Sequence, residues 1–167
     1  MYNIPGLIIV TRNTDEVGND SPGYWNHAAI ISVREWVVEA QKEPNAVIAV
    51  PLEKFINRYP ELVIFRVTEM DQMESVALFA ANMIGLPYRR IASIFPMWRR
   101  PWLGENCVSV VRKAVEQATG KDPRWRRPDH IVASSLMDSY YRENYQEWIK
   151  PKAWFEGMVT DKERVFR

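Results

Sequence analysis

The chain has 167 residues, the length of one domain at about 150 residues per domain, and a chain of this size buries ~70% of its unfolded surface without a disulfide or metal staple. Hydrophobic residues make up 47% and charged residues 26%, which excludes disordered, collagen-like and coiled-coil classes. Lys plus Arg number 22 against 21 Asp plus Glu, a net charge of +1, so no global field draws nucleic acid to the molecule. A single cysteine, Cys107, excludes an internal disulfide framework and a multi-cysteine zinc site. No apolar run approaches the ~20 residues of a membrane-spanning helix. The opening MYNIPGLIIV has neither a basic region nor a small-residue cleavage site. The expectation is a cytoplasmic protein, or one that belongs to a phage particle or is exported without a Sec signal.

The first part of the chain reads mostly as strands. LIIVTR (7–12) is followed by a polar loop (13–23), then by HAAIISV (27–33), WVVEAQ (36–41) and AVIAV (46–50). Pro51 suits the first turn of a short helix, LEKFINRY, since its missing N–H is not needed there. LVIFRV (62–67) is β-branched and aromatic, the composition of another strand. Helical spacing follows: Met73, Val76, Ala77, Ala80, Ala81 and Ile84 predict one buried stripe, with Thr68 and Asp71 as candidate caps and Gly85 and Pro87 as stops. Residues 88–104 read as a loop. ENCVSVVRKAVEQATG (105–120) predicts a second long helix, with Val108, Val111, Ala114, Val115 and Ala118 inward and Gly120 at its C-terminal end. PDHIVASSL (128–136) predicts a short helix, and 137–167 is aromatic and charged without a clear period. No repeat or linker divides the chain, so 1–167 is read as one domain.

Cys107 falls at the start of the 105–120 helix, where unpaired N–H groups and the positive end of the helix dipole favour a thiolate. It also lies on the side of Val111 and Ala114, so simple packing is the competing reading. His27 begins a strand after PGYWNH. A turn centred on residue 33 would set His27 directly opposite Glu39, with Cβ atoms ~5 Å apart. Glu39 would then accept a hydrogen bond from one ring nitrogen and leave the other as a base, which is the orienting half of a nucleophile triad. An ordinary cross-strand polar pair is the plainer alternative, and Glu35, in the turn, is the weaker candidate carboxylate. Trp25 and Asn26, just before His27, are candidate substrate contacts.

The segments GLIIV, NHAAII with His27, VVEA with Glu39, VPLEKF, GLPY with Tyr88, ENCVSVV with Cys107 and RRPDHIVASSL span residues 5–136. In that order they resemble the circularly permuted, YiiX-like branch of the NlpC-type papain-like cysteine hydrolases. More distantly they are similar to the lecithin:retinol acyltransferase-like proteins. In the non-permuted family the cysteine helix precedes the histidine strand; here it follows. The resemblance implies an α+β papain-like fold with a small, mainly antiparallel sheet, and a cysteine hydrolase; no cofactor is expected, and two histidines with one cysteine argue against a metal site. It makes Cys107 the nucleophile, His27 the base, Glu39 the residue orienting the ring, and Tyr88 a hydroxyl beside the oxyanion. Two departures stand: GLIIV lacks the family's acidic residue after the glycine, and 137–167 has no counterpart, so it reads as an extension of the 5–136 core.

The segments 88–107 and 123–130 interleave Arg with Trp. Trp98, Arg99 and Trp102, with Arg89 and Arg90, are candidates for a substrate wall or a lipid contact; packed tryptophans with solvated arginines are the alternative. His130, after Asp129, reads as structural. The implied substrate is a peptide or isopeptide, such as a cell-wall stem peptide. A fatty acyl group handled by the same triad is the alternative. A third reading is a non-catalytic assembly protein that meets a partner through its aromatic C-terminal extension.

Overall fold

A computed structural model of the chain describes residues 4–12, 24–59, 61–88 and 105–139. Among the described residues six strands form one sheet: β1 (Ile8–Arg12), β2 (His27–Ile31), β3 (Trp36–Gln41), β4 (Ala46–Pro51), β5 (Glu61–Val67) and β6 (Met137–Ser139). Their order is β4-β3-β2-β1-β5-β6 and every pairing is antiparallel. The helices are α1 (Leu52–Arg58), α2 (Met73–Ala81), α3 (Cys107–Thr119) and α4 (Pro128–Val132). The architecture is the expected α+β one. Among the described residues no helix is long and apolar enough to cross a membrane.

The uninterrupted run IIV in β1 reflects burial of both faces of a central strand, and Ile8, Ile9 and Val10 are all fully buried. α3 packs on β2 and β3 and against α2, while α1 lies against β3 and β4. Val108, Val110, Val111, Ala114 and Val115 supply the buried side of α3. Asn106 caps that helix: its side chain accepts from the Ser109 N–H at 2.8 Å, and the Ser109 hydroxyl accepts from the Asn106 N–H at 2.8 Å. α3 therefore starts at Cys107, two residues later than expected, which makes Cys107 its first helical residue.

Gly6 is a point where a side chain has no room. Its φ is +88°, and a Cβ there would lie 1.9 Å from the Met73 carbonyl oxygen. Gly6→Ala is expected to cost on the order of 2–4 kcal/mol, from left-handed strain plus overpacking. A lowered urea midpoint at unchanged slope checks this.

Other elements also differ from expectation. β2 ends at Ile31, and a 3-10 turn over Val33–Glu35 follows, closed by the Ser32 N–H donating to the Trp36 carbonyl at 2.7 Å. The pairing is Ile31 with Val37 and Ile30 with Val38, so the turn is centred on residue 34 and not on residue 33. The helix expected to continue to residue 85 ends at Ala81. The chain then turns through 82–85, and this rotates Met83 inward and leaves Ile84 47% exposed, outside the stripe it was assigned to. No side-chain cap holds the start of α2, whose N-cap is Gln72. Finally, Met137–Ser139 pairs with β5, Val67 opposite Met137, so the sheet runs past residue 136.

Candidate active site

β2 begins with His27 and β3 carries Glu39, one strand over. With the turn centred on residue 34, His27 and Glu39 are diagonal and not directly opposite, a correction to the expected register. The slip is two residues, so both side chains still share a face. Diagonal positions lie ~7–8 Å apart, within reach of two long side chains. His27 Nε2 meets Glu39 Oε2 at 2.8 Å. An ionised carboxylate only accepts, so Nε2 carries the proton and Nδ1 is left for other work.

Glu39 is 0% exposed, and its two oxygens are shared out. Oε2 accepts from His27, from Gln41 Nε2 at 2.6 Å and from the Tyr59 hydroxyl at 3.4 Å. Oε1 accepts from Arg58 Nη1 at 2.7 Å. Gln41 follows Glu39 by two positions on the same strand, hence on the same face. Arg58 and Tyr59 come from the end of α1, which lies against β3. The Tyr59 ring stacks on His27 with centroids 5.1 Å apart, and Phe55 backs both rings. Burial pushes the Tyr59 phenol above its usual range, so it stays neutral and donates.

Cys107 is half-buried at the first position of α3, hydrogen-bonded to His27 and to the backbone N–H groups of Ala28 and Val108. Burial pushes the thiol up. The His27 hydrogen bond, its charge and those two N–H groups outweigh burial, and the thiol sits below its ordinary value. Burial likewise opposes a charged His27. The hydrogen bonds to Cys107 and Glu39 and the charge of a Cys107 thiolate oppose it and raise the ring above the ordinary histidine range. Both shifts run toward a thiolate–imidazolium pair.

The start of α3 is pinned from behind. Glu105 is buried, accepts from Ser109 Oγ at 2.6 Å and is ion-paired with Lys113. Its N–H donates to the Pro87 carbonyl at 2.7 Å, and its backbone bridges to Tyr88. Tyr88 is thereby held two residues from Cys107 in the neighbouring segment, partly buried against the core. Trp25 is half-buried, its N–H donates to Asp129 Oδ1 at 3.2 Å, and its ring meets Tyr24 edge-on at 5.1 Å. The Asn26 N–H donates to the Thr11 carbonyl at 3.1 Å, and Thr11 lies opposite His27 in β1. Trp98, Arg99 and Trp102, with Arg89 and Arg90, lie outside the described residues. So does the C-terminal extension beyond Ser139.

The structure thus brings Cys107, His27 and Glu39 together. It adds Gln41, Arg58 and Tyr59, which sequence reasoning passed over. Gln41 was readable as a same-face neighbour of Glu39. Phe55, Arg58 and Tyr59 recur at spacings of three and four, which marks one face of α1 but not the strand it meets.

The histidine strand precedes the cysteine helix, the order expected of the permuted branch of the papain-like fold. The model of a family described as permuted papain-like amidase enzymes, YaeF/YiiX, C92 family, matches residues 5–93. That is more than half of the chain, and the chain belongs to this family of cysteine hydrolases. The matched span contains His27, Glu39, Gln41, Arg58 and Tyr59; Cys107 lies beyond it. The fold is also similar to that of a solved structure, described as the metalloprotein yiiX from Escherichia coli O157:H7, with a TM-score of 0.64 and 15% identity over 85% of this chain and 99% of that one. No curated protein matches. Among the described residues no group of three or more His, Cys, Asp or Glu side chains is placed to hold a metal ion.

Proposed function

We propose that the chain hydrolyses an amide bond, in a peptide or isopeptide such as a cell-wall stem peptide, through Cys107, His27 and Glu39. The observation that carries this reading is the unbroken chain of contacts from thiol to imidazole to carboxylate, with the thiol at a helix N-terminus. The Cys107 thiolate attacks the carbonyl carbon, and charge develops on the carbonyl oxygen. Backbone N–H groups at the start of α3 are suited to that charge, and the Tyr88 hydroxyl is the side-chain candidate beside them. The C–N bond breaks as the His27 imidazolium passes its proton to the leaving amine. A thioester remains on Cys107. Water then attacks it, losing a proton to His27, and the thiolate departs as the acid is released. Trp25 and Asn26, at the head of β2, are placed to flank the substrate.

The fatty-acyl alternative rests on Trp98, Arg99 and Trp102, outside the described residues, whereas the amide reading agrees with an amidase family. An assembly role in which the fold carries no chemistry gives no reason for a His27 held on both sides. A protein partner for the extension, membrane contact through the aromatic loop and a cytoplasmic, phage or exported location are compatible with either chemistry.

Iodoacetamide labelling of Cys107 across pH tests the reading. The wild type is expected to label as a thiolate well below the ~8.5 of a free cysteine. His27→Ala removes the partner that lowers the thiol, so its labelling moves up toward that ordinary value. Equal labelling of the two proteins at neutral pH, or a wild-type profile no different from a free thiol, overturns it.

A further inference from the structure

The Glu39 carboxylate has more partners than orienting a ring requires. Only one of them is a cation that stays charged. Oε2 serves His27, Gln41 and Tyr59, while Oε1 is given over to Arg58 at 2.7 Å. The Arg58 guanidinium also lies 5.7 Å from the Tyr59 ring centroid. We propose that Arg58 is a positioning residue: it is the standing counter-ion of Glu39, and it keeps the carboxylate ionised while His27 is neutral, so that the ring proton stays on Nε2 and the basic lone pair stays on Nδ1. This rests on the reading of His27 as the base.

The need arises within the reaction cycle. As imidazolium, His27 neutralises Glu39. Once its proton has left with the amine, Glu39 would be an anion with 0% exposure, and a buried anion without a cation takes up a proton. A protonated Glu39 would donate to Nε2. The ring proton would then move to Nδ1, and no lone pair would face the water that clears the thioester. The groups facing the carboxylate are His27 from β2, Gln41 from β3, and Arg58 and Tyr59 from α1, with Cys107 of α3 behind His27. Of these, Arg58 alone is cationic at every working pH. Its separate oxygen lets it act without displacing His27.

The experiment compares wild type, Arg58→Gln and Arg58→Lys by iodoacetamide labelling of Cys107 from about pH 4 to about pH 9, with Tm recorded beside it. In Arg58→Gln the carboxylate protonates earlier and stops supporting the imidazolium. The acid limb of labelling is expected to rise by about one pH unit or more, and Arg58→Lys to return most of that shift. A purely structural role would lower Tm and leave the limb in place; superimposable limbs for wild type and Arg58→Gln overturn the proposal. The Arg58 side chain is 33% exposed, so glutamine leaves the core intact. Should that variant not fold, the nitrogen NMR signal of neutral His27 in the wild type decides. Protonation at Nε2 supports the proposal and protonation at Nδ1 overturns it. A wild type with no low-pH thiolate at all removes the functional reading itself, a result distinct from an unshifted limb.

Discussion

Cys107→Ala is expected to bring turnover of an activated ester such as p-nitrophenyl acetate, read as nitrophenolate release, down to the rate of buffer, a loss on the order of 10⁴ or more. The wild type should also show a mass increase of one acetyl group on Cys107, which the variant lacks. The fold should survive. Cys107 is half-buried at the first turn of α3, and the Asn106–Ser109 capping box that starts the helix does not involve its side chain. A Tm within a few degrees of wild type separates lost chemistry from lost structure. The pattern across variants is as informative as the size of the loss. If thiol and imidazole act as one unit, Cys107→Ala combined with His27→Ala is no worse than either alone, because removing one partner already removes the step. Strictly additive losses would mean that the two side chains act separately. Retained turnover in Cys107→Ala would place the chemistry elsewhere.

What could be read before the structure, and what could not, follows from the range of the interactions. The LIIVTR run announces a strand, but that β1 is central, with both faces covered, is a fact of the sheet order. The alternation at the head of β2 is weak, yet His27 is legible as its first residue because the polar PGYWNH loop ends there. The 3.6-period run after ENC reveals the helix, but its start was placed two residues early, because the reciprocal Asn106–Ser109 cap that fixes it went unread. The register between β2 and β3 was not legible. It depends on whether Val33–Glu35 folds as a 3-10 turn, with Glu35 at a φ of 61°, and short-range propensity does not reveal that. The Glu39 pairing survived the slip only because the shift was even. The end of α2 was misplaced for a similar reason: the turn after Ala81 changes the phase, and Met83 takes the inward position that spacing assigned to Ile84. Arg58 and Tyr59 stayed hidden because their role depends on how α1 lies over the ends of two strands, a tertiary fact with no local signature.

Loss of the Glu39 charge is expected to damage stability and chemistry together, with a pH dependence that tells the two apart. Burial pushes this carboxyl up, but the hydrogen bond and charge of His27, the Gln41 amide and the Arg58 charge outweigh burial, and it sits below its ordinary value. A group whose folded value lies below its unfolded one, ~4.3 for glutamate, stabilises the fold at pH above that unfolded value. The contribution fades as pH falls through the folded value. Glu39→Gln should therefore be less stable than wild type at neutral pH, by about 3 kcal/mol. That is the low end for a broken buried pair, because Arg58 still reaches water. The gap should narrow as acid protonates the wild-type carboxyl. Chemistry should fall further: an amide in this position no longer holds the imidazolium or selects the proton on Nε2, and such a change in a triad costs on the order of 10⁴ in turnover. The Cys107 thiolate should disappear at neutral pH in the same variant, since a less basic His27 no longer holds it. Urea titrations at neutral and acid pH, set beside labelling and turnover, check each part. A Glu39→Gln protein as stable as wild type at neutral pH, or one that keeps its low-pH thiolate, would show that the carboxylate does not govern the imidazole and would remove the third member from the triad.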